Sequence, residues 1–264
     1  MELIPDGLRA RRHKSARTIV ALMLREMSTS YGRSVGGYIW AVLEPVGVII
    51  ILSFGFSLLL RAPALGTNFP LFFASGYLPF AIFQGVSSKT ATSIRFSRPL
   101  LAYPAVTFMD AILARFLLET LTQVAVFVLV ITAIHVIFDL RSILDLPALV
   151  LALTLAACLG LGIGALNCYL TTAFSLWERL WGILSRPLFL ISGVFFTYDA
   201  MPTAMRELLW YNPLLQVVGL TRDGIFVVYD ASYVSVTYIV GISMICGVFG
   251  FLLLYRHHKT LMNS

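Results

Sequence analysis

Five long stretches of this chain carry almost no charged residues, and they limit the folds that it can adopt. They lie near residues 38–60, 69–88, 112–138, 146–170 and 233–255. A helix needs about 20 mostly apolar residues to cross the hydrocarbon layer of a membrane. Only 12% of the residues are charged, against about a quarter in soluble domains. The sequence therefore predicts a polytopic membrane protein and excludes an ordinary soluble enzyme, a disordered segment and a nucleic-acid-binding domain.

A further span is predicted between the fourth and the last of these stretches. The segment 180–198 is mostly apolar but contains Arg186 and follows Arg179. Charged side chains are costly in lipid unless they face protein or water, so we expect a polar, shielded inner end. Pro187 predicts a kink, which neighbouring helices tolerate.

Two shorter apolar pieces follow this span. Pro202 suits the first turn of a short helix, and a second piece covers residues 214–226, where we expect Gly219 and Gly224 to break the helix. Pieces of 10–14 residues are more often interfacial or re-entrant than spanning. The predicted fold class is all-α, with six transmembrane helices, an N-terminal amphipathic interface helix and a re-entrant helix pair on the outer, periplasmic side.

The amphipathic pattern lies ahead of the first span. At helical spacing, the apolar residues from Ile19 to Met27 share one side, and Lys14, Arg17 and Arg25 share the other. Such helices lie in the membrane interface, and we place this one along the inner leaflet; a plain positively charged anchor is the alternative. Glu26 falls on the apolar side and is the exception to the pattern.

The basic residues are distributed unevenly over the loops. One set of alternate loops, with both termini, holds most of the 19 lysines and arginines, whereas the other set holds only Arg61, Arg141, Arg206 and Arg222. Cytoplasmic loops are enriched in such residues, so both termini are predicted to be cytoplasmic. The chain divides into an N-terminal segment (1–37), a transmembrane domain (38–255) and a cytoplasmic tail (256–264).

No pattern in the sequence indicates a nucleotide or metal site. A P-loop needs Gly-Lys-Ser/Thr, but His13, Ser88 and His258 stand where the glycine is required. The three cysteines and four histidines do not have metal-binding spacings. We predict that the chain is not an enzyme, holds no metal and carries no cofactor of its own.

Few charged residues lie inside the spans. Arg115 and Glu119 are four residues apart and share a helix face, so they are predicted to form a structural ion pair. They lie toward the inner end of the span, whereas ion-coupled carriers place such groups near the midplane. A secondary carrier is therefore disfavoured. A membrane glycosyltransferase would need an acidic cluster, and only the isolated Glu44 and Asp110 are present.

Small residues recur on the fourth span. Ala156, Gly160, Gly164 and Cys168 stand four residues apart. Such a stripe lets two helix backbones approach closely. It can serve packing within the chain or a dimer, and packing within the chain is the default prediction.

Several sequence motifs resemble those of the ABC-2 type export permeases. GYIWAVLEP at 37–45 resembles the start of the first span of that family, and ARFLLET at 114–120 resembles its third span. RPLFLISG at 186–193 and LWYNPL at 209–214 are similar to its fifth span and re-entrant region. More narrowly, these motifs resemble the capsular-polysaccharide export branch, and the resemblance covers nearly the whole chain.

The resemblance implies a subunit with six spans in a bacterial inner membrane. It implies a homodimer with two cytoplasmic ABC ATPase subunits, which bind ATP and Mg²⁺. The substrate is then a lipid-linked capsular polysaccharide, and periplasmic and outer-membrane proteins complete the route; nucleic acid is not a partner. The alternative is an ABC-2 permease for O-antigen, teichoic acid or a small-molecule drug.

Two groups of candidate site residues follow. The loop after the second span and the N-terminal helix are expected to couple to the ATPase through Arg25, Arg95, Arg98, Leu101, Tyr103 and Pro104. Arginines near the inner surface, which attract acidic groups, and aromatic residues at span ends are expected to line the substrate path. These are Arg33, Tyr38, Trp40, Phe83, Trp177, Arg179, Trp181, Phe195 and Tyr198.

Overall fold

A computed structural model describes residues 14–31, 37–101, 106–140 and 142–263. In these residues all regular structure is helical, as predicted. A π-helical turn at Met27–Tyr31 follows the first helix, and a 3₁₀ turn at Tyr198–Ala200 precedes the eighth. The helices are α1 (Lys14–Glu26), α2 (Gly37–Leu59), α3 (Phe69–Ala91), α4 (Ser93–Leu101), α5 (Phe108–Ile137), α6 (Leu146–Ala173), α7 (Trp177–Ile191), α8 (Thr203–Trp210), α9 (Pro213–Ile225) and α10 (Val236–Asn263).

Local sequence signals start several of these helices. Thr107 and Asp110 form a capping box at α5, in which the Asp110 amide donates to Thr107 Oγ1 at 3.2 Å and the Thr107 amide donates to Asp110 Oδ2 at 3.0 Å. At α9, Asn212 Oδ1 accepts from the Leu214 amide at 3.0 Å, and Pro213 occupies the first turn. These contacts satisfy backbone N–H groups that have no partner within the helix.

Two helices, α3 and α6, form the centre of the bundle. About two thirds of the apolar window of α3 (67%) and of α6 (61%) is buried, against 17% for α2 and 22% for α10. A Cβ atom on Gly160 would lie 2.9 Å from Val86 Cβ of α3, and one on Gly164 would lie 2.7 Å from Thr90 Cβ. The small-residue stripe of α6 therefore packs against α3 within the chain, as predicted.

Five of the described helices are long and apolar enough to cross a membrane. They are Ile39–Leu59, Phe69–Ala91, Phe108–Ile137, Leu146–Ala173 and Val236–His257. The predicted span 180–198 is not a single helix: α7 has 15 residues, about 22 Å, which is shorter than the hydrocarbon layer of about 30 Å. It ends because the chain turns at Gly193, whose φ is +79°, a conformation that glycine adopts without strain.

The two short pieces after this turn are helical, but the expected breaks in the second are wrong. Helix α9 runs without interruption through Gly219 and Gly224. A Cβ atom on Gly224 would lie 2.8 Å from Leu149 Cγ of α6, and one on Gly219 would overlap the Tyr233 hydroxyl. Both glycines therefore allow close packing of a buried helix rather than a change of backbone direction.

The N-terminal helix α1 packs against α5. The Ser15 hydroxyl donates to the carboxylate of Asp110, the same group that closes the capping box of α5. This bond places the start of α1 beside the start of α5. The position of α1 along the inner leaflet remains a prediction.

Candidate functional site

Arg115 joins four segments at the predicted cytoplasmic end of the bundle. Its Nε donates to Glu26 Oε1 of α1 at 2.7 Å, and both side chains are almost fully buried. Its Nη1 donates to the Lys89 carbonyl of α3 at 3.2 Å and to Thr92 Oγ1 at 2.9 Å. The guanidinium carbon lies 4.2 Å from the centre of the Phe96 ring of α4, within the range of a cation–π contact. One buried cation thus fixes α1, α3 and α4 against α5.

The prediction that Arg115 pairs with Glu119 is wrong. Arg115 pairs with Glu26, which lies 89 residues away along the chain. Glu119 instead accepts a hydrogen bond from Gln123 Nε2 at 2.8 Å. Spacing within one helix predicts which side chains share a face, but the packing of α1 decides which carboxylate approaches the guanidinium most closely.

A cavity of about 320 Å³ lies where α4, α6 and α7 meet at the same end. Arg95 Nη1 and Nη2 of α4 donate to the two carboxylate oxygens of Glu178 at 3.0 and 3.2 Å, which ties α4 to the first turn of α7. The cavity combines cationic, hydroxyl and aromatic groups, which suits an anionic ligand. Its lining includes Arg95, Arg98, Thr171, Thr172, Glu178 and Trp181.

The ion pair between Arg95 and Glu178 is exposed to solvent. Its side chains are 65% and 57% exposed, so we expect it to contribute at most about 1 kcal/mol to stability. The Arg95 guanidinium, through its hydrogen bonds and charge, holds the pKa of Glu178 below its ordinary value. Glu178 precedes the predicted span 180–198. Since the folded-state pKa is lowered, the stabilisation is present at neutral pH and is lost as the pH falls through that lowered pKa.

A double-mutant cycle with Arg95→Ala and Glu178→Ala is expected to give a coupling energy of at most about 1 kcal/mol at pH 7. The coupling should vanish at a pH low enough to protonate Glu178. Urea unfolding of the protein in detergent micelles, measured at both pH values, tests this. A coupling that persists unchanged in acid would contradict the assignment of Glu178 as the ionised partner.

A second cation, Arg222 of α9, is fully buried near the opposite end of the bundle. Its Nη1 donates to the Phe196 carbonyl at 2.6 Å, and its Nη2 donates to the Val194 carbonyl at 3.3 Å. Its guanidinium carbon lies 4.4 Å from the centre of the Phe72 ring of α3. The turn after α7 is therefore held by a planar cation that reaches two carbonyls at once.

The predicted path residues that the structure describes lie in different parts of the bundle. Phe83 is fully buried in the core, so the structure does not support a place for it on a substrate path. Trp40 is 66% exposed, and Phe195 packs with its ring centre 5.2 Å from that of Phe189. Tyr198 stacks on Tyr233 with ring centres 4.0 Å apart.

Three other path residues lie in the first part of α7. Trp177 Nε1 donates to Asn167 Oδ1 at 2.9 Å, Arg179 is exposed, and Trp181 lines the cavity between α4 and α7. Trp177, Arg179 and Trp181 thus lie near Arg95 and Arg98, two of the predicted coupling residues. Arg25 is exposed on α1. Arg33, Tyr103 and Pro104 lie outside the described residues, as do the side chains of Tyr38 and Leu101.

Three residues of these clusters have roles that sequence reasoning did not assign. Glu26 stood out as the exception on the apolar side of α1, and that exception marks its buried contact with Arg115. Arg222 was counted among the outer basic residues, but it is 1% exposed; its place within the mostly apolar segment 214–226 was the available signal. Glu178 gave no signal, since its partner Arg95 is 83 residues away.

The chain is similar to known transport proteins along most of its length. The model of the ABC-2 type transporter family matches residues 17–226. The chain is 33% identical over 245 residues to the polysialic acid transport protein KpsM of Escherichia coli, covering 93% of this chain and 95% of that protein. It is 27% identical over 246 residues to the capsule polysaccharide export inner-membrane protein CtrC of Neisseria meningitidis serogroup B, covering 92% of each. It is 28% identical over 228 residues to the capsule polysaccharide export inner-membrane protein BexB of Haemophilus influenzae, covering 85% of this chain and 84% of that protein.

Proposed function

The chain belongs to the ABC-2 type transporter family, and we propose that it is the permease subunit of an ATP-driven exporter of capsular polysaccharide. The substrate is lipid-linked and crosses the inner membrane of a bacterium. The observation that carries this proposal is the similarity, over more than four fifths of the chain, to three proteins named for polysialic acid transport or capsule polysaccharide export.

The energy for transport comes from a separate ATPase subunit, which binds ATP and Mg²⁺. The sequence lacks the Gly-Lys-Ser/Thr motif of a P-loop. The ATPase docks on α4, at Arg95, Arg98 and the following residues, and on the face of α1 that carries Arg25. Because Arg115 contacts both Glu26 of α1 and Phe96 of α4, movement of either helix is transmitted to α5.

The chain crosses the membrane six times, with both termini in the cytoplasm. Five of the crossings are the long helices; the remaining one, fifth in chain order, consists of residues 180–191 of α7 together with the turn that leads to Tyr198. Helix α7 has no buried residue and carries the exposed Arg179 and Arg186. Charged groups in a span face protein or water rather than lipid. We therefore place a second copy of the chain against α7, with α8 and α9 as the periplasmic re-entrant pair.

The substrate enters at the cavity between α4 and α7. Two arginines and several hydroxyl groups line this cavity, and such groups bind phosphate and carboxylate oxygens. An acidic, phosphate-bearing end of the substrate binds beside both arginines and competes with Glu178 for Arg95. Periplasmic and outer-membrane export proteins receive the polysaccharide on the far side.

Deleting the gene is expected to remove polysaccharide from the cell surface and to leave it accumulated in the cytoplasm, because the conduit is lost while synthesis continues. Electron microscopy and carbohydrate analysis of the surface and cytoplasmic fractions measure this. The wild-type chain and its Ile143→Ala variant, altered at a loop residue that is 83% exposed, should both restore export. Unchanged surface polysaccharide in the deletion strain would refute the proposed function.

A further inference from the structure

A second cavity lies between α2, α3 and α5, and it adjoins the cavity beside α4 and α7, because Ser88 of α3 lines both. Its volume is about 350 Å³, within the range of roughly 300–1,000 Å³ of small-molecule sites. The lining is mostly polar and aromatic, although all three helices are of membrane-spanning length. Its principal side chains are Trp40, Glu44, Tyr77, Lys89, Glu119 and Gln123.

A polar pair, in which Glu119 is buried and Gln123 is half-buried, forms one wall of this cavity. Glu119 is 6% exposed and accepts from Gln123 Nε2 at 2.8 Å. A Cβ atom on Gly85 of α3 would lie 2.5 Å from Glu119 Oε1 and 3.0 Å from Gln123 Nε2. The glycine therefore makes room for the pair. A buried carboxylate is costly unless hydrogen-bonded, so this wall favours a ligand that donates hydrogen bonds.

The pair lies deeper than a lipid headgroup. Helix α3 has 23 residues and is about 35 Å long; Gly85 is about 9 Å and Tyr77 about 21 Å from its inner end. The hydrocarbon layer is about 30 Å thick. With the predicted orientation, we infer that the cavity extends from Lys89, near the inner surface, toward the middle of the membrane. A ligand that fills it must then be hydrophilic and leave the headgroup region.

The chemistry of the lining selects among hydrophilic ligands. Among the described residues of the lining, Glu44 and Glu119 are two carboxylates against the one cation of Lys89, so an acidic group is disfavoured. Carboxylate, amide and ammonium groups together accept from and donate to hydroxyls. Trp40 and Tyr77 add aromatic surface with a polar edge, against which the apolar face of a sugar ring packs.

We propose that this cavity binds one uncharged, hydroxyl-rich sugar unit of the transported polysaccharide. Glu119 and Gln123 hold its hydroxyls, and Trp40 contacts the ring. The acidic end of the substrate occupies the cavity beside Arg95 and Arg98. The two cavities therefore bind the charged and the neutral parts of one polysaccharide molecule. This proposal rests on the proposed function, and it names the substrate chemistry of a site within it.

The test is oligosaccharide binding to the full-length protein in phosphatidylcholine nanodiscs. The probes are neutral hexasaccharides of glucose, galactose and N-acetylglucosamine, with hexagalacturonate as the acidic control. Binding is followed as the part of the tryptophan fluorescence that Trp40→Phe removes. At least one neutral probe should bind saturably. Glu119→Gln should weaken it about tenfold or more, because a hydrogen bond to a charged acceptor is lost.

Two further variants guard against misfolding and indirect effects. Gly85→Ala should weaken binding comparably by displacing the pair, whereas Glu207→Gln, at an exposed residue of α8, should bind like wild type. The proposal is overturned if no neutral probe gives a saturable change, if hexagalacturonate binds as tightly, or if both cavity variants bind like wild type. A response to phosphatidylethanolamine in the nanodisc, without a response to sugars, would assign the cavity to a lipid headgroup.

These outcomes are independent of the test of the proposed function. If the wild-type chain restores surface polysaccharide to the deletion strain but no probe changes the fluorescence of Trp40, only the sugar site is refuted. If surface polysaccharide is unchanged in the deletion strain, the exporter itself is refuted.

Discussion

Replacing Glu26 by alanine is expected to destabilise the protein by about 3–5 kcal/mol, because it leaves the buried guanidinium of Arg115 without its counter-charge. The Glu26 carboxylate lies 2.7 Å from Arg115 Nε, and both side chains are under 10% exposed. The remaining partners, Thr92 and the Lys89 carbonyl, do not neutralise the charge. Denaturant unfolding of the purified protein in detergent measures the loss.

The same variant is expected to abolish export, since α1 loses its buried attachment to α5. Glu26→Gln keeps a hydrogen-bond acceptor and should lose less stability than the alanine variant. The double variant Glu26→Ala with Arg115→Met removes the unpaired charge and should recover part of the stability without recovering export. Glu207→Ala, at an exposed residue of α8, is the control and should lie within about 0.5 kcal/mol of wild type. An equally small effect of Glu26→Ala would contradict the buried pair.

Replacing Arg222 by methionine is expected to destabilise the protein by several kcal/mol, because two carbonyl groups lose their donor while the side-chain volume is kept. Each buried polar group left without a partner costs about 1–3 kcal/mol, and the carbonyls of Val194 and Phe196 are both affected. Arg222→Lys should be intermediate, since an ammonium lacks the planar fork that reaches both carbonyls. Unfolding in denaturant and proteolysis within the turn 192–197 measure the loss.

Gly76 lies beside Arg222 and offers an independent test of how the turn after α7 is held, with a matched control. A Cβ atom on Gly76 would lie 3.2 Å from Arg222 Nη2 and 3.0 Å from Val194 Cα, whereas one on Gly47 of α2 would meet nothing within 4 Å. Gly76→Ala should therefore expose the turn to protease, and Gly47→Ala should not. Equal effects of the two substitutions would show that the turn does not depend on this contact.

The two buried arginines act at opposite ends of the same bundle. Arg115 joins the helices that face the proposed ATPase, and Arg222 joins the turn after α7 to the packed helices α3 and α9. Between them lie α3 and α6, whose glycine contacts allow little independent movement. A force applied to α4 is therefore expected to move α2 and α7, which are loosely packed, relative to the rigid centre formed by α3 and α6.

Much of the fold followed from the sequence because its signals are local. Charge-free length identified five spans, and the stripe of Gly160 and Gly164 indicated close packing within the chain. Bilayer thickness and unsatisfied backbone groups act on each helix separately, so neighbouring residues carry the information.

Only part of the candidate sites could be predicted from the sequence, because these sites join segments that are far apart in the chain. Arg115 was recognised as paired, but the choice of Glu26 over Glu119 depends on how α1 packs against α5. Phe83 looked like other aromatic residues at span ends, yet the rotation of α3 buries it. A residue's exposure depends on helix rotation, and neighbouring helices set that rotation.

The sequence by itself determined that this chain is a helical membrane protein of the ABC-2 type, and the positions of its long helices, because length, charge and capping act locally. The tertiary structure alone decided that α7 stops at Ile191, that Arg222 is buried and that Glu26 completes the Arg115 cluster. It also brought Glu119 and Gln123 against Gly85, where they line the cavity between α2, α3 and α5. Those outcomes depend on contacts between residues far apart in the chain, which packing energy and the burial of charge select.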